Sequence, residues 1–591
     1  MIYLQNIVGP EQDICSEEEL YYQGGGGVAF CEKTKSFQMD MGETLSFETY
    51  FNLFNLGRWK SGCDLSDLSF EIVGSGRFHL KIILNKPGAT AATVLEKTLT
   101  LARNQTQLFN LSDVAQHEET GLLHLELQAL DAEAVFLRGR FVSPTRVTQL
   151  PQLAISITTF RREIEVQKTV QRLERFLEHF EFANNIQVQV VDNGHTVQIP
   201  PSDHTAVYLN RNLGGAGGFS RGLLEAEAAG STHCLFMDDD ATFHMENIVR
   251  TYAFLALAKD SSTALAGAMI NTTNKWAMWE NGAYFDGACS PLHSGTDLRS
   301  RHQVAQMELF PDQDHKTLYG GWWFFAFPIR EVKHYPFPFF VRGDDVGFSL
   351  ANDFRIFTLN GVVSFQEDFS EKESPLTLYL DLRNHLIHHL VFEELARNRF
   401  GFSKIILHFL ARSLLRFHYS SARAQLLACC DILQGPDFFD DHLDMTLRRA
   451  QIKELSRDED WQAPSQVDQF EHPGVFSHLP ERVLFYLGLI TLNGHIIPFW
   501  SSLAGQRRVG IQDRGTIPQA FGCQQITYFN ATETKGYTVA QSKLRFVRIA
   551  WQTSKVLMRF FLRYRGLKAS YRADYGRMTS KHYWQKVLQK S

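Results

Sequence analysis

The chain has 591 residues, 44% of them hydrophobic and 21% charged. That is the balance of a soluble globular protein, and the length calls for about two to four domains. The formal charge of −6 is unevenly spread: from Gln541 to Ser591, 13 Lys/Arg stand against one acid, Asp574, leaving a tail of about +12 on a body of about −18. Such a tail suits an anionic partner: membrane phospholipid, a phosphorylated carrier, or a neighbouring subunit in a homo-oligomer. Nucleic acid is not expected, because no recognised binding motif accompanies the charge.

Eight cysteines occur, none in Cys-x-x-Cys spacing, so neither a zinc site nor a disulfide framework is expected. Met1 to Leu20 is acidic and does not read as a signal peptide. Val483 to Trp500 is apolar but broken by Asn493, Gly494 and His495, a poor membrane span. A reduced, cytoplasmic location is expected, peripheral on the inner face of the membrane if the tail docks there.

Residues 1–150 read as a β-sandwich. Ser46 to Phe54, Arg77 to Leu84, Leu122 to Leu130 and Ala134 to Val142 are strand-like, with Gly or Asn/Asp often between them. The texture changes at Leu153. Leu153 to Thr159 is a predicted strand, and Val166, Val170, Leu173, Leu177 and Phe180 then share a helical face. Ile186 to Val191 and Ala206 to Leu209 are further strands. Gly214-Gly215-Ala216-Gly217-Gly218 follows as a loop, with a helix from about Phe219. Alternating strands and helices define an α/β domain over 151–400, a mostly parallel sheet that binds ligands at its carboxyl edge. The glycine loop is neither a Walker A loop nor a dinucleotide fingerprint. It can cradle a phosphate on bare N–H groups, or simply let a helix pack closely on the sheet.

The strand Cys234 to Met237 ends in Asp238-Asp239-Asp240. Three adjacent anions repel unless a divalent cation such as Mn²⁺ or Mg²⁺ draws them together. In an extended segment Asp238 and Asp240 converge while Asp239 points away. Gly320 to Phe325 is an aromatic run, suited to sugar stacking or to core packing. Arg342-Gly343-Asp344-Asp345 sets two acids before a helix beginning near Val346. Paired acids can supply a general base or cap that helix. Tyr379 to Asn398 is a predicted helix carrying Arg383-Asn384-His385 and His388-His389.

Taken together, Asn212 to Gly222, Phe236-Met237-Asp238-Asp239-Asp240, Gly321-Trp322-Trp323, Gly343-Asp344-Asp345 and Arg383-Asn384 resemble the galactofuranosyltransferases of bacterial cell-wall galactan. Those are GT-A enzymes of glycosyltransferase family 2. The motif match spans roughly Ile155 to His389, and the order of sandwich, GT-A core and helical region (401–591) is also similar. The resemblance implies an inverting transferase moving a sugar from a UDP-sugar donor to a glycan or glycolipid acceptor. It implies that Asp238 and Asp240 hold Mn²⁺ or Mg²⁺. It further implies that Thr159, Arg161, Asp192 and Asn193 surround the uridine, with Asn212, Gly214, Gly215, Gly217 and Asp239 near the nucleotide-sugar. Trp322 and Trp323 would shape the acceptor site, with His385 nearby. Asp345 would be the general base, beside Asp344.

One departure stands out. The family's metal-binding histidine is replaced by Gln366, in the run Gly361 to Glu367. Gln366 can coordinate through its carbonyl, Glu367 or His385 can substitute, or water can complete the site. The second functional class this allows is a GT-A scaffold that has lost catalysis and acts as a sugar-binding or assembly protein.

From about Gly401 helices are expected to dominate. Ile405, Ile406, Phe409, Leu410, Leu414 and Phe417 mark an apolar face, and Ser456 to Glu471 reads as a polar loop. The tail mixes Arg/Lys with Trp551, Leu557, Phe560, Phe561, Leu562 and Tyr564. This pattern fits either an amphipathic helix on an anionic membrane or a helix packed on the core with a solvated basic face.

Overall fold

In the computed structural model the described residues are 1–589, other than 104, 146, 148, 201, 311–315, 368–372 and 468–470. The N-terminal region is an antiparallel sheet of 11 strands. Its spine is β1 (Ser69–Asn85), 17 residues long. One half of β1 pairs with β2 (Leu122–Ala129), the other with β3 (Ala134–Ser143). Phe78, Leu80, Ile82 and Leu84 alternate into the core, as period-two patterning requires. The expected strand at Ser46 to Phe54 is a correction. Only Thr44–Ser46 and Phe54–Asn55 are extended. Between them the Thr49 hydroxyl donates to the Tyr21 carbonyl, and the Asn52 amide brackets the Val8 backbone. Side-chain bonding of this kind competes with strand ladders.

The central sheet has eight strands. Its elements are β4 (Leu153–Thr159), α1 (Glu163–Leu177), β5 (Ile186–Asp192), β6 (Thr205–Leu209), α2 (Gly214–Ala228), β7 (His233–Asp238), α3 (Glu246–Ala256), β8 (Thr263–Asn271), β9 (Met278–Glu280), β10 (Phe325–Pro328), α4 (Asp344–Ala351) and β11 (Arg355–Gln366). The order is β6-β5-β4-β7-β10-β8-β9, with β11 paired to β8. β4 runs parallel to β5 and β7, β5 to β6, and β8 to β11, whereas β10 is antiparallel to both its neighbours. Thr159, Asp192, Asp238 and Gln366 therefore stand at the carboxyl ends of their strands, where open α/β sheets bind ligands.

The glycine stretch is not a loop before a helix: it is the first turn of α2. A Cβ at Gly218 would lie 2.2 Å from Thr158 Cγ2, and one at Gly222 would lie 1.9 Å from Ser156 Oγ. The glycines are the residues that let this helix lie against β4, which outweighs their poor helix propensity.

The central domain meets the N-terminal one through a buried polar knot. Arg250 of α3, fully buried, donates to the carbonyls of Phe51 (2.8 Å) and Asn360 (2.7 Å) and to Glu246 (3.0 Å). Glu246 in turn accepts two bonds from Asn6, each 2.7 Å.

Beyond it come α5 (Pro375–Val391), α6 (Arg399–Leu414), α7 (Tyr419–Ile432) and α8 (Glu481–Ile490). α5 starts earlier and ends sooner than its apolar pattern predicts. Ser374 and Thr377 form a capping box at its start, and Phe392 leaves the helix in an extended conformation. The C-terminal region is not wholly helical. β12 (Gly505–Gly510), β13 (Cys523–Phe529) and β14 (Gly536–Ala540) make a three-stranded sheet before α9 (Lys543–Met578) and α10 (Lys581–Gln589). α9 has 36 residues and buries Ile549, Thr553, Val556, Phe560, Tyr564, Leu567, Tyr571, Tyr575 and Met578. That spacing of three and four is one continuous stripe, packed on α5, α6 and α7. The tail is thus a structural helix. No helix among the described residues is long and apolar enough to cross a membrane.

Candidate active site

The strand β7 ends at Asp238, so the alternation expected of the three acids stops there and Asp239 and Asp240 lie in a turn. Both are reached by one cation, Arg162. Its Nη1 pairs with Asp240 and stands 3.4 Å from Asp239. Asp239 therefore does not face away from Asp240. It is buried beside Thr159, and that burial pushes its carboxyl up to about 6. Asp238 instead meets Gln366, whose amide nitrogen donates to it at 3.4 Å.

The oxygen donors present suit a hard divalent cation: Asp238, Asp240 and the Gln366 carbonyl. To coordinate, Gln366 must turn its amide over and Asp240 must leave Arg162. Among the described residues no group of three or more His, Cys, Asp or Glu side chains forms a closed metal site. His385 is not a substitute ligand on β11's edge. It packs against Phe285 (4.8 Å) and Phe409 (5.7 Å), and burial drives its imidazole down to about 3.

The second acid pair opens α4. The segment leading into it carries positive φ at Phe340 (79°), Arg342 (73°) and Gly343 (73°). Non-glycine residues occupy that region only when their surroundings enforce it. Two elements do so. On one side lies the glycine turn of α2. Ala216 N donates to the Phe340 carbonyl at 3.1 Å, and a Cβ at Gly214 would stand 2.0 Å from that oxygen. On the other side lies α5. The Arg383 guanidinium donates to the Phe339 carbonyl, and Asn384 Nδ2 donates to the carbonyls of Val341 (3.0 Å) and Arg342 (2.6 Å). The glycines and the Arg383-Asn384 motif thus grip the same loop from opposite directions.

The two acids have different surroundings. Asp344 is buried beside Gly215, where a Cβ would be 3.0 Å from its Oδ2. Burial, then the charges of Asp345 and Asp238, hold its carboxyl well above the usual range. Asp345 is half-buried, and its Oδ1 accepts from Val346 N at 2.8 Å. Burial lifts it to about 6, opposed by the nearby Arg342. Its charge is felt by Glu280, which burial raises to about 8, and by Tyr319 and Cys289. Asp344 thus feels the charges of both Asp345 and Asp238, and Asp345 acts on Glu280, Tyr319 and Cys289. Arg342 Nη1 lies 3.9 Å from Asp381 on the same side.

Other expected site residues are placed as follows. Asp192 is fully buried and accepts from the N–H groups of Gly194 (2.8 Å), Thr196 (2.7 Å) and Val197 (2.9 Å). It shapes the loop that follows β5. Asn193 Nδ2 donates to the Gly214 carbonyl (3.1 Å), and Asn212 Oδ1 accepts from Gly214 N (3.1 Å). Both therefore fix the start of α2, with Gly217 in its first turn. Arg161 is exposed at positive φ (58°) just after β4. Trp322 is 5% exposed and packs among Phe219, Phe236 and Phe348. Trp323 is 7% exposed and donates to the Gly267 carbonyl at 2.9 Å. Both indoles are core residues, so the aromatic run fills the interior and offers little face to a sugar. Arg162 escaped sequence reading, since a lone arginine carries no pattern. Glu280 and Tyr319 likewise join the site only through folding.

A mixed α/β domain with acids at its strand ends, an acid pair on a strained loop and a glycine-packed helix between them is a layout suited to nucleotide-sugar chemistry. No family profile matches the chain. Among curated proteins it is similar to the galactofuranosyltransferase GlfT2 of Mycolicibacterium smegmatis, at 23% identity over 66% of this chain and 64% of that protein. It is likewise similar to GlfT2 of Mycobacterium tuberculosis, at 24% identity over 68% of this chain and 67% of that one. The chain is galactofuranosyltransferase-like in sequence, and its first match spans just under two thirds of that relative. Among solved structures it is similar to a Pyrobaculum calidifontis mannosyltransferase in complex with GDP-Man and Mn²⁺ (TM-score 0.28, 13% identity, 48% of this chain and 75% of that one). It is also similar to GalNAc-T7 with UDP, GalNAc and Mn²⁺ (TM-score 0.30, 12% identity, 54% and 60%).

Proposed function

We propose that the chain is an inverting, metal-dependent hexosyltransferase that moves galactofuranose from UDP-galactofuranose onto a glycan or glycolipid acceptor of the cell surface. The observation that carries this reading is the acid pair Asp344-Asp345 at the start of α4, on a loop gripped by the glycine turn of α2 and by Arg383-Asn384, with Asp238 and Gln366 in contact at their strand ends. A donor bound on the Asp238 side and an acceptor on the Asp345 side would meet across one residue.

Asp345 takes the proton of the acceptor hydroxyl. The freed oxygen attacks the anomeric carbon from the face opposite the phosphate, the carbon–phosphate-oxygen bond breaks, and UDP departs with that electron pair, inverting the centre. Asp238, Gln366 and, once released from Arg162, Asp240 would hold a Mn²⁺ or Mg²⁺ ion, whose charge offsets that building on the departing diphosphate. Arg383 and Asn384 keep Asp345 in place by fixing the loop before it. The donor sugar rests on the sequence likeness, and the chemistry on the carboxylates.

The test is UDP release by purified protein from a panel of nucleotide-sugars, with and without Mn²⁺. Release from UDP-galactofuranose with an acceptor glycan present, and a product of inverted anomeric configuration, is expected. Sugar binding with no turnover on any donor would favour the scaffold reading instead.

A further inference from the structure

Arg383, which holds the loop 339–343, is a buried cation whose described partners are neutral. Its guanidinium donates to the Asn384 side-chain oxygen (2.9 Å), the Tyr379 hydroxyl (3.4 Å), the Met445 sulfur (3.1 Å) and the Phe339 carbonyl. A buried cation without a counter-charge is costly, so a balancing acid is called for.

That acid is Asp431, near the end of α7. The Tyr379 hydroxyl, which accepts from Arg383, donates to Asp431 Oδ2 at 2.6 Å. Asp431 Oδ1 accepts from Arg448 (2.7 Å) and from Gln434 (3.0 Å). Among the described residues, donors alone meet this buried carboxyl, as an ionised carboxylate requires. Burial pushes it up, while the Tyr379 hydroxyl, Arg448 and Arg383 push it back down. The charge of Arg383 is thus balanced across one hydroxyl.

A guanidinium is a rigid planar fork, so whatever fixes Nη1 also fixes Nη2. Nη1 meets the Tyr379 hydroxyl and the Met445 sulfur, and Nη2 meets the Phe339 carbonyl. Met445 is itself held at positive φ (57°) at the head of the short helix Thr446–Leu455. From the same helix, Arg449 lies 5.1 Å from the centre of the Phe340 ring. Phe340, Tyr379, Met445 and Ile452 share one apolar cluster with Ala424 and Ala428 of α7. α7 and this helix therefore support both Arg383 and the strained loop it holds.

We propose that Asp431 is a positioning residue for Asp345, acting through the Tyr379 hydroxyl and the Arg383 guanidinium on the loop 339–343. In its kinetic test this rests on the transferase reading; in its exchange test it does not.

Full-length Asp431→Asn keeps the shape and removes the charge, and Tyr379→Phe removes the hydroxyl alone. Both should lower kcat with UDP-galactofuranose by about tenfold to a hundredfold, with KM for the donor and UDP affinity by calorimetry at wild-type values. Both should also speed hydrogen exchange across residues 339–345. Tyr379→Phe added to Arg383→Lys should cost nothing further, because the groups act in series. Leu125→Ala, in the core of the N-terminal sheet, is the control for mere destabilisation: its thermal midpoint should fall while kcat and the exchange of 339–345 stay unchanged. Should Asp431→Asn fail to fold, Tyr379→Phe carries the test. Folded Tyr379→Phe with wild-type kcat and wild-type exchange would overturn the proposal. So would a lowered midpoint as the sole effect, since Asp431 would then be a core ion-pair member and nothing more. Wild-type protein that transfers no sugar would sink the transferase reading alone; faster exchange in the two variants would then still support the proposal, and unchanged exchange would overturn it.

Discussion

Asp345 and Glu280 show how two neighbouring carboxyls come to differ. Glu280, raised to about 8, carries its proton at neutral pH, whereas Asp345, raised to about 6, has lost most of its own. On the proposed reading, Asp345 is the base. Asp345→Asn should lower turnover by roughly 10²–10⁴-fold and leave UDP affinity by calorimetry unchanged. Glu280→Gln, which mimics the protonated acid, should keep most of the turnover at pH 7. Near-wild-type transfer by Asp345→Asn would send the search for a base elsewhere. The pH profile follows from the same values. A raised carboxylate pKa means the basic form disappears sooner on acidification, so turnover should fall as pH drops through about 6. Since Asp344 and Asp345 adjoin, that limb belongs to the pair rather than to one residue. Arg162 adds a test on the metal side. It competes for Asp240, so Arg162→Gln should lower the Mn²⁺ concentration needed for half-maximal rate, by up to about fivefold for a partly exposed pair. Chelation should stop transfer in both proteins.

Among the elements, the loop Phe339–Gly343 depends on partners distant in sequence. Asn384→Ala leaves two carbonyls of that loop without their donor, which costs about 1–3 kcal/mol. It should also lower turnover more than it lowers donor affinity, because Asp345 loses its placement. Gly214→Ala adds a clash with the Phe340 oxygen to a φ of 70° and should be worse than Gly215→Ala in a melting experiment. Equal effects would mean that the glycine turn is not what holds the loop. Sequence showed the strands ending at Asp192 and Asp238 because buried parallel strands read as unbroken apolar runs. It did not show that α2 begins at Gly214, since glycine reads as loop until the neighbouring strand is in place. Nor did it show β12 to β14, where Gly505-Gln506-Arg507-Arg508 has no strand pattern and pairs only in the folded protein. The acid pair was visible as residues, but the charges that set Asp344 and Asp345 apart come from Asp238 and Arg342 and from the burial that folding imposes. Trp322 and Trp323 were open to either fate, and the fold took them into the core.

For the whole molecule, the Arg250 knot lies within a continuous apolar core that joins the N-terminal sheet to the central domain. Arg250→Met would strand Glu246 and the Asn360 and Phe51 carbonyls in a dry interface, at a cost of about 3–5 kcal/mol. A drop of several degrees in the thermal midpoint should follow, or two separate transitions if each unit then melts alone. Removing residues 541–591 should prevent folding rather than merely free a tail, because α9 supplies one wall of the C-terminal core. Soluble, fully active truncated protein would contradict that packing.

α9 also runs without a break from the loop 492–499, where Lys543 donates to the Ile497 carbonyl, to the start of α4. At its far end Tyr575 stacks on Phe337 at 5.5 Å, and its hydroxyl donates to the Gly347 carbonyl of α4 at 3.4 Å. From Leu544 to Tyr575 a helix measures ~46 Å, so it is a stiff lever with its handle at Phe499 and its working end beside Asp345. A tilt of about 5° at the handle swings the far end by ~4 Å, more than a hydrogen bond can follow. Packing along its length on α5, α6 and α7 opposes such a tilt, so the two ends stay in fixed relation. Tyr575→Phe, which removes the bond to Gly347, should therefore speed hydrogen exchange at the start of α4 while leaving the loop 492–499 at wild-type rates.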